Sequence, residues 1–126
     1  MLMILVIDDS PTSRAIVTRL IGDIYEIRTA SSGPEGIAAA EAGDFDLILL
    51  DLLMPGMDGK AVIAELASRG SRLPIVVMTA DIQDTTRSRI APLGVANLLN
   101  KPLTRERLVS AITAAFGEAR GTRHEP

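Results

Sequence analysis

The sequence predicts a single doubly wound α/β domain, in which helices cover both faces of a parallel sheet. Three observations support this fold class. Short apolar segments recur along the 126 residues, most clearly at residues 1–7, 47–50 and 75–78. Their hydrophobic residues are consecutive rather than alternating, as in strands that are buried on both faces. Segments with helical periodicity separate them, and a hydrophobic content of 47 % is ample for a packed core.

The predicted strands lie at residues 3–7, 26–29, 47–50, 75–78 and 96–99. Ser10 and Pro11 predict the start of the first helix, because serine caps a helix N-terminus and proline fits the first helical position. Ser32 and Pro34 give the same signal for an alanine-rich second helix, which we expect to end at Gly43.

The third predicted helix begins after Asp58 and ends before Gly70. The fourth lies near residues 84–93, with Pro92 in its last turn. Because proline removes a backbone donor and crowds the preceding turn, we expect this helix to be short, kinked or frayed at its C-terminal end.

The fifth predicted helix begins after a Thr104 cap and ends at Gly117. Three apolar residues share one of its faces: Leu108, Ile112 and Ala115. Residues 118–126 have no apolar periodicity. We therefore expect one domain over residues 1–117, followed by a C-terminal tail over residues 118–126.

Composition excludes several classes of protein. The net charge of −3 argues against a nucleic-acid binder, since phosphate recognition needs a basic surface. No apolar segment approaches the roughly 18–20 residues that cross a bilayer. The apolar start of the chain lacks the basic residues of a signal peptide and runs directly into two aspartates. Because the chain has no cysteine, it has no disulfides. We expect a cytoplasmic protein.

Polar residues follow the predicted strands at the edge where open α/β sheets bind their ligands. Asp8 and Asp9 follow the first strand and Asp51 the third, and these strands are neighbours in the flavodoxin-like order 2-1-3-4-5. Such a cluster of carboxylates favours a hard divalent cation, most simply Mg²⁺, and thus phosphoryl transfer. Thr79 and Lys101 end the fourth and fifth strands. Each residue alone suits a turn, a cap or a solvated surface; their conjunction favours a site.

These residues resemble the receiver domains of two-component response regulators, and most closely the single-domain chemotaxis type (CheY-like). The matching segments are VIDDS at residues 6–10, LDLLMPGMDG at 50–59, MTA at 78–80 and NKP at 100–102. The resemblance extends from residue 1 to about residue 117. It implies the flavodoxin-like (βα)5 sandwich and a switch that is controlled by phosphorylation.

The resemblance also implies a role for each site residue. Asp51 is expected to accept the phosphoryl group. Asp9, Asp51 and the backbone carbonyl of Leu53 are expected to ligate Mg²⁺, with Asp8 acting on the metal largely through water. Lys101 is expected to pair with a phosphoryl oxygen.

A second group of residues is expected to transmit the signal. Thr79 would hydrogen-bond another phosphoryl oxygen and report phosphorylation to the fourth helix. Pro102 is expected to follow Lys101 through a cis peptide. At position 98, where many members of the family carry an aromatic switch residue, this chain has Leu98, so the resemblance does not extend to the aromatic form of the switch.

The implied partners are a sensor histidine kinase or phosphotransfer protein and a downstream protein. The latter would bind in trans to the fourth helix, fifth strand and fifth helix; a separate phosphatase is a further implied partner. Such a protein is not an enzyme beyond its own phosphorylation and dephosphorylation. The alternatives are a receiver cut from a larger regulator, an aspartate-nucleophile phosphohydrolase, a flavodoxin-like electron carrier using Ser10, Thr12 and Ser13, and a docking module that is never phosphorylated.

Overall fold

The computed structural model describes residues 1–80 and 95–123, with side chains as far as residue 117. Its elements are β1 (Met3–Ile7), α1 (Pro11–Ile21), β2 (Glu26–Ala30), α2 (Gly33–Ala42), β3 (Leu47–Asp51), α3 (Gly59–Ser68), β4 (Ile75–Thr79), β5 (Asn97–Asn100) and α4 (Arg105–Arg123). All five predicted strands are confirmed to within one residue at each end. The predicted fourth helix and Pro92 lie outside the described residues, so α4 is the helix predicted as the fifth.

The five strands form one parallel sheet in the order β2-β1-β3-β4-β5, which confirms the predicted fold class. Alternate residues of β1 point to opposite faces: Ile4 and Val6 join a core cluster with α1 and α4, whereas Leu5 and Ile7 join one with α2 and α3. Because helices cover both faces of β1, β3 and β4, these strands are apolar along nearly their whole length.

The predicted helix caps are present. The side chains of Ser10, Ser32 and Asp58 each accept a hydrogen bond from a backbone N–H in the first turn of α1, α2 and α3. Thr104 does the same for α4, where its hydroxyl accepts from the Arg107 N–H at 3.2 Å. Each cap fixes the start of a helix close to the end of the preceding strand, and so positions the loops that lie between them.

The predicted end of the last helix at Gly117 is wrong. Helix α4 continues to Arg123, six residues further. A glycine inside a helix costs only about 1 kcal/mol relative to alanine. The residues after Gly117 include strong helix formers, and the next proline in the chain is Pro126. The domain boundary at residue 117 stays a prediction. None of the helices described, α4 included, is long and apolar enough to cross a membrane.

Gly59 lets the start of α3 pack directly against the backbone that follows β3. Its N–H donates to the Leu52 carbonyl at 2.9 Å. A Cβ at this position would lie 2.7 Å from the Cα of Leu52 and 2.9 Å from the carbonyl oxygen of Asp51. Both neighbours are backbone atoms, so they cannot turn aside as a side chain could. The position of Asp51 therefore depends on a glycine here.

We predict opposite effects for two glycine substitutions. Gly59→Ala should lower the free energy of unfolding by about 1–3 kcal/mol, because the added methyl group meets backbone. Gly117→Ala should raise it by about 0.5–1 kcal/mol, because alanine favours the helix and, apart from the helix's own backbone, no atom of the described residues lies within 4 Å of the added Cβ. Urea unfolding followed by circular dichroism measures both. A destabilising Gly117→Ala would contradict the continuation of α4 through this residue.

Candidate functional site

Three carboxylates meet at the carboxyl edge of the sheet. Asp8 and Asp9 follow β1, and Asp51 is the last residue of β3, which pairs directly with β1. Each offers one oxygen, and the three oxygens lie within 4.8 Å of one another. Asp8 is fully buried and Asp51 is 6 % exposed, whereas Asp9 is exposed. Two of the three carboxylates therefore have little access to the water that would solvate their charge.

Asp8 is held by residues at the start of α1, from its N-cap Ser10 to Arg14. Its Oδ1 accepts from the Ser10 N–H at 2.9 Å, and its backbone carbonyl accepts from the Arg14 guanidinium at 2.7 Å. Its Oδ2 is buried and has no hydrogen-bond partner among the described residues. A buried carboxylate oxygen without a partner is costly unless a cation lies nearby. Together with hard oxygen ligands from Asp9 and Asp51, this geometry fits a divalent ion such as Mg²⁺.

Lys101 brings the only ammonium group found near these carboxylates in the described part of the chain. Its Nζ lies 3.6 Å from Oδ2 of Asp8 and 3.8 Å from Oδ1 of Asp51. Its backbone N–H donates to the Thr79 carbonyl at 2.8 Å, so the ends of β4 and β5 are joined at the site. The peptide between Lys101 and Pro102 is cis, as the resemblance implies.

The pKa of Asp51 is raised to about 6. Burial is the largest cause, because it removes water from the charged form, and repulsion by Asp8 adds to it. The positive charge of Lys101 and the N–H of Leu53, which lies 3.4 Å from Oδ1 of Asp51, act in the opposite direction without cancelling the rise. The site thus carries negative charge that its own lysine only partly offsets.

The remaining predicted residues lie around this cluster. Leu53 is exposed beside Asp51, and Thr79 is fully buried at the end of β4. Leu98 is partly buried and packs on the face of the sheet that α2 and α3 cover. The metal-binding role of the Leu53 carbonyl and the switching roles of Thr79, Leu98 and Pro102 stay predictions.

Two contacts at the site were not predicted from the sequence. Nζ of Lys101 donates to the hydroxyl of Ser13 at 2.9 Å, and Arg14 binds the Asp8 carbonyl. Ser13 had a role only in the electron-carrier alternative. One signal was available: both residues lie in the first turn of a helix that starts directly after the two aspartates, so their side chains are close to the end of β1.

Comparison with known proteins identifies the family. A model of the response regulator receiver domain matches residues 4–113, most of the chain. The chain belongs to this family. Receiver domains are regulatory modules of two-component systems, and they partner with histidine kinases or phosphotransfer proteins.

Three relatives show the range of this receiver's similarity. It is 33 % identical to the transcriptional regulatory protein CiaR of Streptococcus pneumoniae, over 90 % of this chain and 51 % of that protein. Chemotaxis protein CheY4 of Vibrio cholerae is 28 % identical, with a TM-score of 0.86 over 91 % of this chain and 98 % of that one. A response regulator of Thermotoga maritima, solved in complex with Mg²⁺–BeF, is 30 % identical, with a TM-score of 0.79 over 90 % and 97 %.

This receiver spans only part of several curated relatives. It covers about half of CiaR, 13 % of a sensor histidine kinase and 7 % of a hybrid signal transduction histidine kinase. Homologous receivers therefore occur within sensor kinases and within transcriptional regulators. The activity of those larger proteins does not pass to this chain by similarity alone.

We predict that ionisation of Asp51 lowers the stability of the metal-free receiver as the pH rises from about 4 to about 6, relative to a variant without this carboxylate. An unfolded aspartate ionises near pH ~4, whereas folded Asp51 has a pKa raised to about 6. The folded chain therefore binds the proton more tightly, and this contribution to stability is lost as Asp51 ionises. Asp51→Asn removes the effect and should raise the free energy of unfolding by about 1–2 kcal/mol at pH 7.5, allowing for solvent screening.

The measurement is urea unfolding of both proteins with a chelator present, followed by circular dichroism between pH 4 and pH 7.5. The difference between them should be near zero at the acidic end and complete above about pH 6. A difference that is the same at all pH values would contradict the raised pKa.

Proposed function

We propose that this receiver accepts a phosphoryl group on Asp51, in the presence of Mg²⁺, and that the phosphorylated form regulates a partner molecule. One observation carries the proposal: a buried aspartate at the end of β3 lies within 4.8 Å of two further carboxylates and 3.8 Å from the ammonium of Lys101. A nucleophile, a set of hard ligands and a positive charge are the parts that phosphoryl transfer requires.

The donor in this proposal is a phosphohistidine on a sensor kinase or phosphotransfer protein. A carboxylate oxygen of Asp51 attacks phosphorus, a P–O bond forms, and the P–N bond to the imidazole breaks with its electron pair passing to nitrogen. Lys101 offsets the charge on the phosphoryl oxygens, and the hydroxyl of Thr79 binds one of them. Water later hydrolyses the acyl phosphate and restores Asp51. Catalysis is confined to these two reactions.

The metal ligands in this proposal are Asp9, Asp51 and the carbonyl of Leu53, with Asp8 acting through water. The buried Oδ2 of Asp8, which has no hydrogen-bond partner among the described residues, and the exposed carboxylate of Asp9 support an ion that is partly shielded and partly hydrated. When bound, Mg²⁺ would neutralise charge between the acceptor carboxylate and the phosphoryl group. The similar Thermotoga maritima protein solved with Mg²⁺–BeF supports this assignment.

The proposed output is a change in the population of two conformations, driven by additional contacts that Thr79 and Lys101 would make with the phosphoryl group. The partner would bind β5, α4 and the predicted fourth helix, which lies outside the described residues. Leu98 lies at the position where many members of the family carry an aromatic switch residue, so we propose a smaller side-chain movement at this position. A role in chemotaxis, a phosphatase partner and a cytoplasmic location also belong to the proposal. A receiver cut from a larger regulator is the alternative.

We predict that acetyl phosphate and Mg²⁺ add one phosphoryl group to the chain and that Asp51→Asn abolishes the addition. The amide cannot form the acyl phosphate. Intact-mass spectrometry with peptide mapping measures both. Asp44→Asn is the matched control, because Asp44 is an exposed aspartate in the loop before β3, at the opposite edge of the sheet. An adduct that survives Asp51→Asn, or none on the unaltered chain, would refute the proposal.

We predict that Asp9→Asn weakens Mg²⁺ binding by about tenfold or more, because it removes an anionic oxygen ligand. Isothermal titration calorimetry measures the dissociation constant. Asp46→Asn provides a control of equal charge, since the Asp46 carboxylate binds the Met3 N–H at 2.8 Å, away from the cluster. Chelation of Mg²⁺ should also prevent phosphorylation by acetyl phosphate. If the two variants bound Mg²⁺ equally well, the metal assignment would be wrong.

A further inference from the structure

The shortest described contact of the Lys101 ammonium is with a serine on another element. Its Nζ donates to the Ser13 hydroxyl at 2.9 Å, whereas the nearest oxygens of Asp8 and Asp51 are 3.6 Å and 3.8 Å away. Only the first distance is that of a hydrogen bond. The ammonium is therefore anchored by a neutral oxygen while it faces two anionic ones.

We propose that Ser13 is a positioning residue for phosphorylation: it holds Lys101 beside the acceptor carboxylate while leaving part of the ammonium free for the incoming phosphoryl group. The inference rests on the proposed function and extends it to a residue in α1. A lysine ammonium has three N–H donors. The Ser13 hydroxyl takes one of them, and neither carboxylate is close enough to take the others in a hydrogen bond.

Ser13 is a rigid anchor because its backbone belongs to the capped turn of α1. Its N–H donates to the Ser10 hydroxyl at 3.2 Å, and Pro11 begins the helix. The Ser10 N–H in turn donates to Asp8. One turn of chain thus places both the buried carboxylate and the oxygen that holds the lysine.

The anchor matters because a lysine side chain is long and flexible. Holding its four-carbon stem in one geometry lowers its rotamer entropy. A hydrogen bond to a fixed acceptor can offset that loss before the phosphodonor binds. Without the Ser13 hydroxyl, the ammonium is free to move onto Asp8, whose buried Oδ2 has no hydrogen-bond partner in the described structure. A lysine bound tightly to Asp8 offers fewer donors to a phosphoryl oxygen.

A matched pair of substitutions tests the role of the hydroxyl. Ser13→Thr keeps the hydroxyl. Ser13→Val has a methyl group in its place, and valine otherwise has the same β-branched shape as threonine. Neither change removes the backbone N–H that binds Ser10. Thr12→Ala is a further control, because Thr12 is exposed one position earlier in the same turn. Urea unfolding of each variant reports any loss of stability separately.

The readout is the rate of phosphorylation of Asp51 as a function of acetyl phosphate concentration at saturating Mg²⁺, followed by intact mass. We expect Ser13→Val to lower the apparent second-order rate constant by about three- to tenfold, the range for one lost hydrogen bond. Ser13→Thr and Thr12→Ala should stay within about twofold of the unaltered chain.

A double substitution tests whether Ser13 acts through Lys101. In a Lys101→Met background, Ser13→Val should change the rate by less than about twofold, because the group that Ser13 positions is absent. An equal loss in both backgrounds would overturn the inference. So would an unchanged or increased rate for Ser13→Val with Lys101 present, since the serine would then be irrelevant or would hold the lysine back.

These outcomes differ from failure of the proposed function. If the unaltered chain acquires no phosphoryl group, or acquires it elsewhere than Asp51, the proposed function fails and this inference fails with it. If Asp51 is phosphorylated and the threonine and valine variants react equally fast, only the role of Ser13 is overturned.

Discussion

The repulsion between Asp8 and Asp51 is the constraint on which the rest of the site depends. Burial at adjacent strand ends deprives both carboxylates of water, and the pKa of Asp51 rises to about 6 as a result. An arrangement that costs stability persists where the surrounding structure enforces it. Here the parallel pairing of β1 with β3 enforces the arrangement, because it keeps the two aspartates at neighbouring strand ends.

The fold supplies that enforcement through residues that are not themselves functional. Strand β1 is fixed between two helical layers by apolar side chains on both of its faces: Leu5 and Ile7 on one, and Ile4 and Val6 on the other. Gly59 then lets α3 approach the backbone of Asp51 and Leu52 more closely than any side chain would allow. The position of the Asp51 carboxylate is thus set by close packing around it, and its pKa by burial and by the charges that this packing brings together.

The sheet and the helix starts could be predicted because both depend on neighbouring residues in the sequence. Consecutive apolar residues indicate a strand covered on both faces, and Ser10, Ser32 and Asp58 are typical helix caps. The prediction failed at Gly117, where a single weak helix former was read as an end. It also missed the bond between Ser13 and Lys101, which are 88 residues apart and meet only through the tertiary fold. Motif residues could be placed from strand ends, but the contact between Lys101 and Ser13 could not be paired from sequence alone.

The charges of the site suggest why phosphorylation would alter its shape. Three carboxylates and one lysine leave two negative charges, which a divalent ion balances and a monovalent ion does not. Converting Asp51 to an acyl phosphate adds further negative charge and several acceptor oxygens in a confined space. Ser13 accepts from one of the three N–H donors of Lys101, so the remaining donors and the hydroxyl of Thr79 are the groups that would bind the new oxygens. Thr79 is buried at the end of β4, and its backbone carbonyl accepts a hydrogen bond from the Lys101 N–H. It therefore lies next to the place where the added oxygens would need hydrogen-bond donors.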